Sequence, residues 1–172
     1  VGPCVKVPPW SPINARALFA ERGGGGRSWN AMEAIGRRDR TRRRARDRAM
    51  TTANELKDVG NGHFKNGAYD DAVAAFTRAI ELDATNHVLH SNRSAAHAGA
   101  ERWSDALRDA ERTIELKSDW GKGYGRKGAA LFGAGDLEGA REAYAAGLAL
   151  EPENAMLRSG LEDVEFAMKR KG

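Results

Sequence analysis

The sequence predicts an all-α repeat fold: three antiparallel helix pairs and a seventh, capping helix, wound into a right-handed superhelix with a concave groove. Three features point to it. From Ala53 the chain repeats itself every 34 residues, as "ANELKDVGNGHFKNGAYDDAVAAFTRAIELDATN", "HVLHSNRSAAHAGAERWSDALRDAERTIELKSDW" and "GKGYGRKGAALFGAGDLEGAREAYAAGLALEPEN". Small residues coincide in register: Gly60, Ser94 and Gly128 at the eighth position, and Ala72, Ala106 and Ala140 at the twentieth. Large apolar residues coincide as well, with Ile80, Ile114 and Leu148 followed two residues later by Leu82, Leu116 and Leu150. Small positions let two antiparallel helices approach closely, and the larger ones fill the space between neighbouring pairs.

Residues 1–49 stand apart from this pattern. They combine four prolines, the run "RGGGGR" and the block "GRRDRTRRRARDR". Such a composition cannot bury enough apolar surface to offset chain entropy, and it reads as a disordered Arg/Gly/Pro-rich tail. A solvated tail or the product of an upstream translation start is favoured over an RNA-binding arm or an organelle-targeting segment. The domain of interest then spans 50–170. Thr52 and Glu55 form a capping box at the start of the first helix. The repeats occupy 53–86, 87–120 and 121–154, with Tyr69, Trp103 and Leu137 at the turn inside each pair. Phe76 and Tyr144 share a slot that Ala110 fills in the middle repeat. Asp83 to Asn86 and Glu151 to Asn154 make turns between repeats. Over 155–170, Leu157, Leu161, Val164 and Met168 recur at i, i+4, i+7 and i+11 as one apolar stripe, the mark of a capping helix. Met156 and Met168 read as core fillers.

Composition narrows the functional classes. The 172 residues are 41% hydrophobic and 30% charged, ordinary for a folded domain with a core, and the formal net charge is +4. That charge is unevenly placed. Residues 1–49 hold twelve cations and four carboxylates, net +8, whereas 50–172 hold sixteen cations and twenty carboxylates, net −4. The basic balance thus belongs to the tail, and a nucleic-acid partner is not expected of the repeats. Cys4 is the single cysteine, so no internal disulfide can form, consistent with a reducing compartment. No apolar run reaches the ~18 residues of a membrane span, and prolines interrupt any secretory signal.

The stretch "DWGKGYGRKGAAL" contains G-x-G-x-x-G at Gly123, Gly125 and Gly128, the pattern of a dinucleotide loop. Such a loop requires a preceding buried strand. Here the helical pattern "ALRDAERTIELK" precedes it, so the match is fortuitous. Each glycine costs a helix ~1 kcal/mol, and the expected gain at Gly121, Gly123 and Gly125 is room for a ligand at the helix surface. Lys122 and Arg126 lie at i, i+4 on one face of that helix. Lys57 and Asn61 repeat this spacing in the first helix of the first repeat, and Asn92 lies in the first helix of the second. First helices line the concave face, so these five side chains are expected to converge there. Two cations, two amides and a third cation suit carboxylates: they neutralise charge, offer a guanidinium fork and donate without adding further charge.

The block "NHVLHSNRSAAH…SDWGKGYGRKGAAL" resembles the first tetratricopeptide domain of the stress-inducible co-chaperones, the Hsp70–Hsp90 organising proteins. The resemblance covers residues 53 to about 165. The family's carboxylate clamp of Lys, Asn, Asn, Lys and Arg is matched by Lys57, Asn61, Asn92, Lys122 and Arg126. The resemblance implies a cytoplasmic, monomeric stress-response co-chaperone that grips the C-terminal Glu-Glu-Val-Asp of heat shock protein 70 or 90. His90 and His97 stand where the family usually has Tyr, and Gly125 where it usually has Ser. The four histidines His63, His87, His90 and His97 lack a companion Cys or closely spaced acid, so no metal or other cofactor is expected. No Ser-His-Asp or Cys-His pattern suggests an enzyme. The alternatives are the targeting domain of a larger enzyme, such as an immunophilin or phosphatase, and an RNA-associated protein acting through the Arg-rich tail.

Overall fold

Helices alone account for the regular structure, a computed structural model that describes residues 26–171 and, within 26–49, the side chains of Arg43, Arg44, Asp47 and Arg48 only. Among the described residues there are seven helices and no strand: α1 (Gly26–Lys65), α2 (Tyr69–Leu82), α3 (His87–Gly99), α4 (Trp103–Leu116), α5 (Gly121–Ala134), α6 (Leu137–Leu150) and α7 (Ala155–Lys171). The chain divides into two units, Val1–Asp47 and Arg48–Gly172.

In the first unit the expected disorder over 1–49 is corrected from Gly26 onward, where the backbone is helical; residues 1–25 lie outside the described part. Composition excludes a core, but a helix satisfies its backbone groups locally and needs none. Residues 37–50 contain neither Gly nor Pro and are rich in Arg and Ala, strong helix formers. Asp39 and Asp47 each stand four residues from Arg43, a spacing that supports helices. The capping box is corrected with it. Thr52 lies inside α1, where its hydroxyl donates to the Arg48 carbonyl at 3.0 Å instead of capping a terminus.

In the second unit the repeats form antiparallel pairs, closed by the small residues. Gly60 of α1 lies against the Phe76 ring of α2, and Gly128 of α5 lies against the Tyr144 ring of α6. Ala72, Ala106 and Ala140 are fully buried. Each turn inside a pair uses a left-handed residue at the same repeat position: Gly67 (φ 74°), Glu101 (φ 57°) and Gly135 (φ 87°). Only the middle repeat places a side chain there, in a conformation that L-residues avoid.

Stacking is uneven between the two helices of a pair. The backbones of α3 and α5 pack on each other, as do those of α5 and α7, whereas α2, α4 and α6 stay apart from one another. First helices close together and second helices splayed give this unit the curvature of a superhelix, concave on the first-helix side. Leu157 and Val164 of α7 are fully buried with Ala140 and Tyr144, and Leu131, Leu137, Leu148, Leu161 and Met168 pack around them. The capping stripe therefore seals the last repeat. Met156 is the exception: it is 49% exposed, lying one position before the buried Leu157 and outside the stripe.

Candidate functional site

Asparagine side chains set the starts of one first helix, α3, and of the capping helix α7. Asn86 accepts from the Val88 amide before α3, and Asn154 accepts from the Met156 and Leu157 amides before α7. The equivalent position before α5 is Trp120, which has no such cap. The Glu151 carboxylate supplies it instead, accepting from the Gly121 amide at 2.8 Å while also receiving the Asn154 side chain at 2.6 Å. A Cβ at Gly121 would fall 2.7 Å from that carboxyl carbon. The other glycines of the stretch are likewise occupied by the protein itself. Gly123 faces Thr113 and Ile114, Gly125 faces Leu157, and Gly128 faces Tyr144. The expected room for a ligand is thus corrected: the glycines let α4, α6 and α7 close on α5.

This tight seat sets the depth of α5 and of its two cations. Arg126 is largely buried, and burial lowers its pKa, opposed by the nearby Tyr144. Its Nε is buried without a hydrogen-bond partner. Lys122 is half-buried, and its pKa is lowered first by burial and then by the charge of Arg126. Its Nζ stands 5.6 Å from the Trp120 ring centroid, and that ring is held edge-on by His87 at 4.9 Å. Among the described residues neither cation has a carboxylate partner. By contrast Arg93, Arg102, Lys117 and Lys127 are each paired with an acid. Two adjacent, desolvated positive charges without an acid beside them are costly, and an anion compensates them.

The amides are joined to each other. Asn92 Nδ2 donates to Asn61 Oδ1 at 3.1 Å, bridging α3 and α1 and leaving the Asn61 NH₂ to donate elsewhere. Lys57 is half-buried and donates to Asn54 Oδ1 at 3.0 Å. The structure thus links Asn61 with Asn92, and Lys122 with Arg126 through their charges; among the described residues Lys57 hydrogen-bonds Asn54 and none of the other four. Asn54, Trp120 and Tyr144 escape the sequence reading. Asn54 stands three residues before Lys57 on the same helix, which is a legible signal; the approach of Tyr144 to Arg126 comes from packing and has none.

The two histidines that depart from the usual pattern border a buried ion pair. Arg93 places its fork on Asp109, with Nε and Nη2 each 2.7 Å from a carboxylate oxygen, and Nη1 donates to Thr77 Oγ1 at 3.1 Å. His90 Nδ1 and His97 Nε2 lie 3.6 and 3.8 Å from the same carboxylate. Burial pushes the Asp109 pKa up, but Arg93 and His90 outweigh it and hold the group below its ordinary value. Among the described residues no three His, Cys, Asp or Glu side chains gather as metal ligands, and no helix is long and apolar enough to cross a membrane.

No protein-family model matches the chain. Over 115 residues, 67% of the chain, it is 53% identical to the Hsp70-Hsp90 organizing protein of Triticum aestivum. Over the same length it is 52% identical to the heat shock protein sti1 homolog of Schizosaccharomyces pombe. The chain spans about a fifth of these curated relatives, 20% of each. Among solved structures, the first tetratricopeptide domain of Spaghetti (RPAP3) bound to the HSP90 peptide SRMEEVD superposes with a TM-score of 0.64 at 34% identity. The match covers 69% of this chain and 94% of that one. The chain belongs to the tetratricopeptide co-chaperone domains. A second tetratricopeptide domain, that of human RPAP3 in complex with the HSP70 peptide SGPTIEEVD, superposes at 32% identity and TM-score 0.64, covering 68% of this chain and 98% of that one.

Proposed function

We propose that this tetratricopeptide domain is a non-enzymatic co-chaperone module that grips the C-terminal Glu-Glu-Val-Asp of heat shock protein 70 or 90, in the cytoplasm. One observation carries the reading: Lys122 and Arg126 sit desolvated and adjacent with no carboxylate of their own among the described residues. A peptide ending in Asp brings two carboxylates on one residue, the side chain and the chain terminus. Arg126 and Lys122 neutralise one, Lys57 the other, and the Asn61 and Asn92 amides donate without adding charge. The free donor capacity of Arg126 Nε is consistent with this division. The relatives support the same chemistry, since two neighbouring domains are solved with peptides ending in EEVD. No bond is made or broken; the domain acts by holding one chain end.

The test is a titration of the full chain with heptapeptides ending in Glu-Glu-Val-Asp, with the terminus free or amidated. Amidation removes one charge and its hydrogen bonds, worth ~1.5–3 kcal/mol each, so affinity falls at least about tenfold. Equal binding of the two peptides overturns the proposal.

A further inference from the structure

The repeats supply an internal comparison on the outer side of the domain. Between α2 and α4, floored by α3, the space is spanned by Arg93 with Asp109 and Thr77. One repeat later the same three positions are Lys127, Ala143 and Glu111. Lys127 turns to Glu111 at 3.2 Å, and α6 offers Ala143 where α4 had offered the bridging Asp109. The polar strut is missing, α4 and α6 remain apart, and a groove of about 460 Å³ is left between them. That volume falls within the ~300–1,000 Å³ of ordinary ligand pockets.

We propose that this groove is a second binding site, which takes the face of an amphipathic peptide helix carrying apolar and cationic side chains. Its inner surface is apolar: Leu107, Ile114 and Leu131 are half-buried and Ala143 is buried. Leu107 and Ile114 lie seven residues apart on α4, ~10 Å along its axis, a length that an occupant matches with side chains two turns apart. The border is acidic. Glu111, Asp136 and Glu142 line the groove against the single cation Lys127, net −2. Glu111 is spoken for by Lys127 and Asp136 by the Gly139 amide, whereas Glu142 is exposed and makes no ion pair among the described residues. Charge complementarity therefore selects a basic occupant. Lys127 is rotated by ~100° from Arg126 on α5, so this site and the carboxylate site use different flanks of one helix.

The probe is a 14-residue Leu/Lys amphipathic peptide, acetylated and amidated so that it has no carboxylate. Binding to the full chain is followed by fluorescence anisotropy and by amide chemical shifts. Saturable binding is expected, with the shifts centred on Leu107, Ile114 and Leu131. Lys127→Arg with Ala143→Asp rebuilds the strut of the first groove and weakens binding at least tenfold. Glu142→Lys, at an exposed position that leaves the core untouched, weakens it about threefold or more. Absence of saturable binding overturns the proposal, as does binding that neither change affects. Loss of binding on Arg126→Ala also overturns it, since the probe would then lie in the carboxylate site. Because the probe has no carboxylate, none of these results depends on the chaperone-tail reading.

Discussion

Arg126 and Lys127 are neighbours in sequence with opposite circumstances. Arg126 is desolvated and has an unsatisfied Nε; Lys127 holds Glu111 at 3.2 Å with its side chain 35% exposed. In the proposed clamp, Arg126→Ala removes a charge-assisted contact and weakens tail-peptide binding about tenfold to a hundredfold, with an unchanged circular dichroism spectrum. Lys127→Ala changes it less than about threefold, the scale of a screened charge outside the site. Calorimetric titration at physiological ionic strength separates the two; equal losses would mean a diffuse positive field. His97 carries a different prediction. Burial lowers its pKa first of all, with Arg102 and Arg93 acting in the same direction and Asp109 and Asp105 opposing. The unfolded chain therefore binds a proton that the folded domain refuses, and stability is lost as pH falls below the ordinary histidine value of about 6.5. Asp109, held low, adds a further loss only below the usual carboxylate range. Melting temperature should drop between pH 7 and pH 5, and His97→Gln, which cannot titrate, should reduce that drop. An identical drop in the variant assigns it to other groups.

At the scale of the element, the helix pairs share one design with one irregularity. The tight turn inside each pair needs a left-handed residue, which glycine supplies at Gly67 and Gly135 and which Glu101 adopts at φ 57°. A side chain in that region costs ~1–2 kcal/mol, partly offset by the greater unfolded-state freedom of glycine, ~0.5–1 kcal/mol. Glu101→Gly should therefore stabilise the domain by about 0.5–1 kcal/mol, a rise of a few degrees in melting temperature. No rise, or a fall, would show that the Glu101 side chain makes a compensating contact. The same element scale explains the middle asparagine cap that is missing before α5. Trp120 there supports Lys122, and Glu151, thirty residues away, takes over the capping.

At the scale of the chain, the buried apolar residues among those described lie in Arg48–Gly172, beginning with Ala53. Residues 37–48 carry eight Arg and two Asp, net +6, and contribute one Ala as their only apolar residue. Their helicity rests on local propensity. A chain beginning at Met50 should then melt within roughly two degrees of the full chain by calorimetry; a larger fall would mean that the preceding segment stabilises the repeats. The sequence reading missed the helix from Gly26 because it weighed only the capacity to bury a core, and a helix of this length does not require one. It missed the seat of Gly121, Gly123 and Gly125 for a related reason: glycine spacing says that something comes close, without saying what.

Periodicity alone was enough to establish the helix pairs, the apolar stripe of the capping helix and the repeat positions of Lys57, Asn61, Asn92, Lys122 and Arg126. Helical spacing is a local property, and three copies of it put every position in register. Packing between elements settled the rest. It placed Glu151 on the Gly121 amide and Asn92 on Asn61. It left Arg126 and Lys122 desolvated without an acid among the described residues, and it bridged the groove at Arg93 while the one at Lys127 stayed open. Each of these depends on groups about sixteen or thirty residues apart meeting at hydrogen-bond range. Such a distance is fixed by how closely the helices stack, and the small and aromatic residues between them, Gly128 against Tyr144 among them, set that spacing.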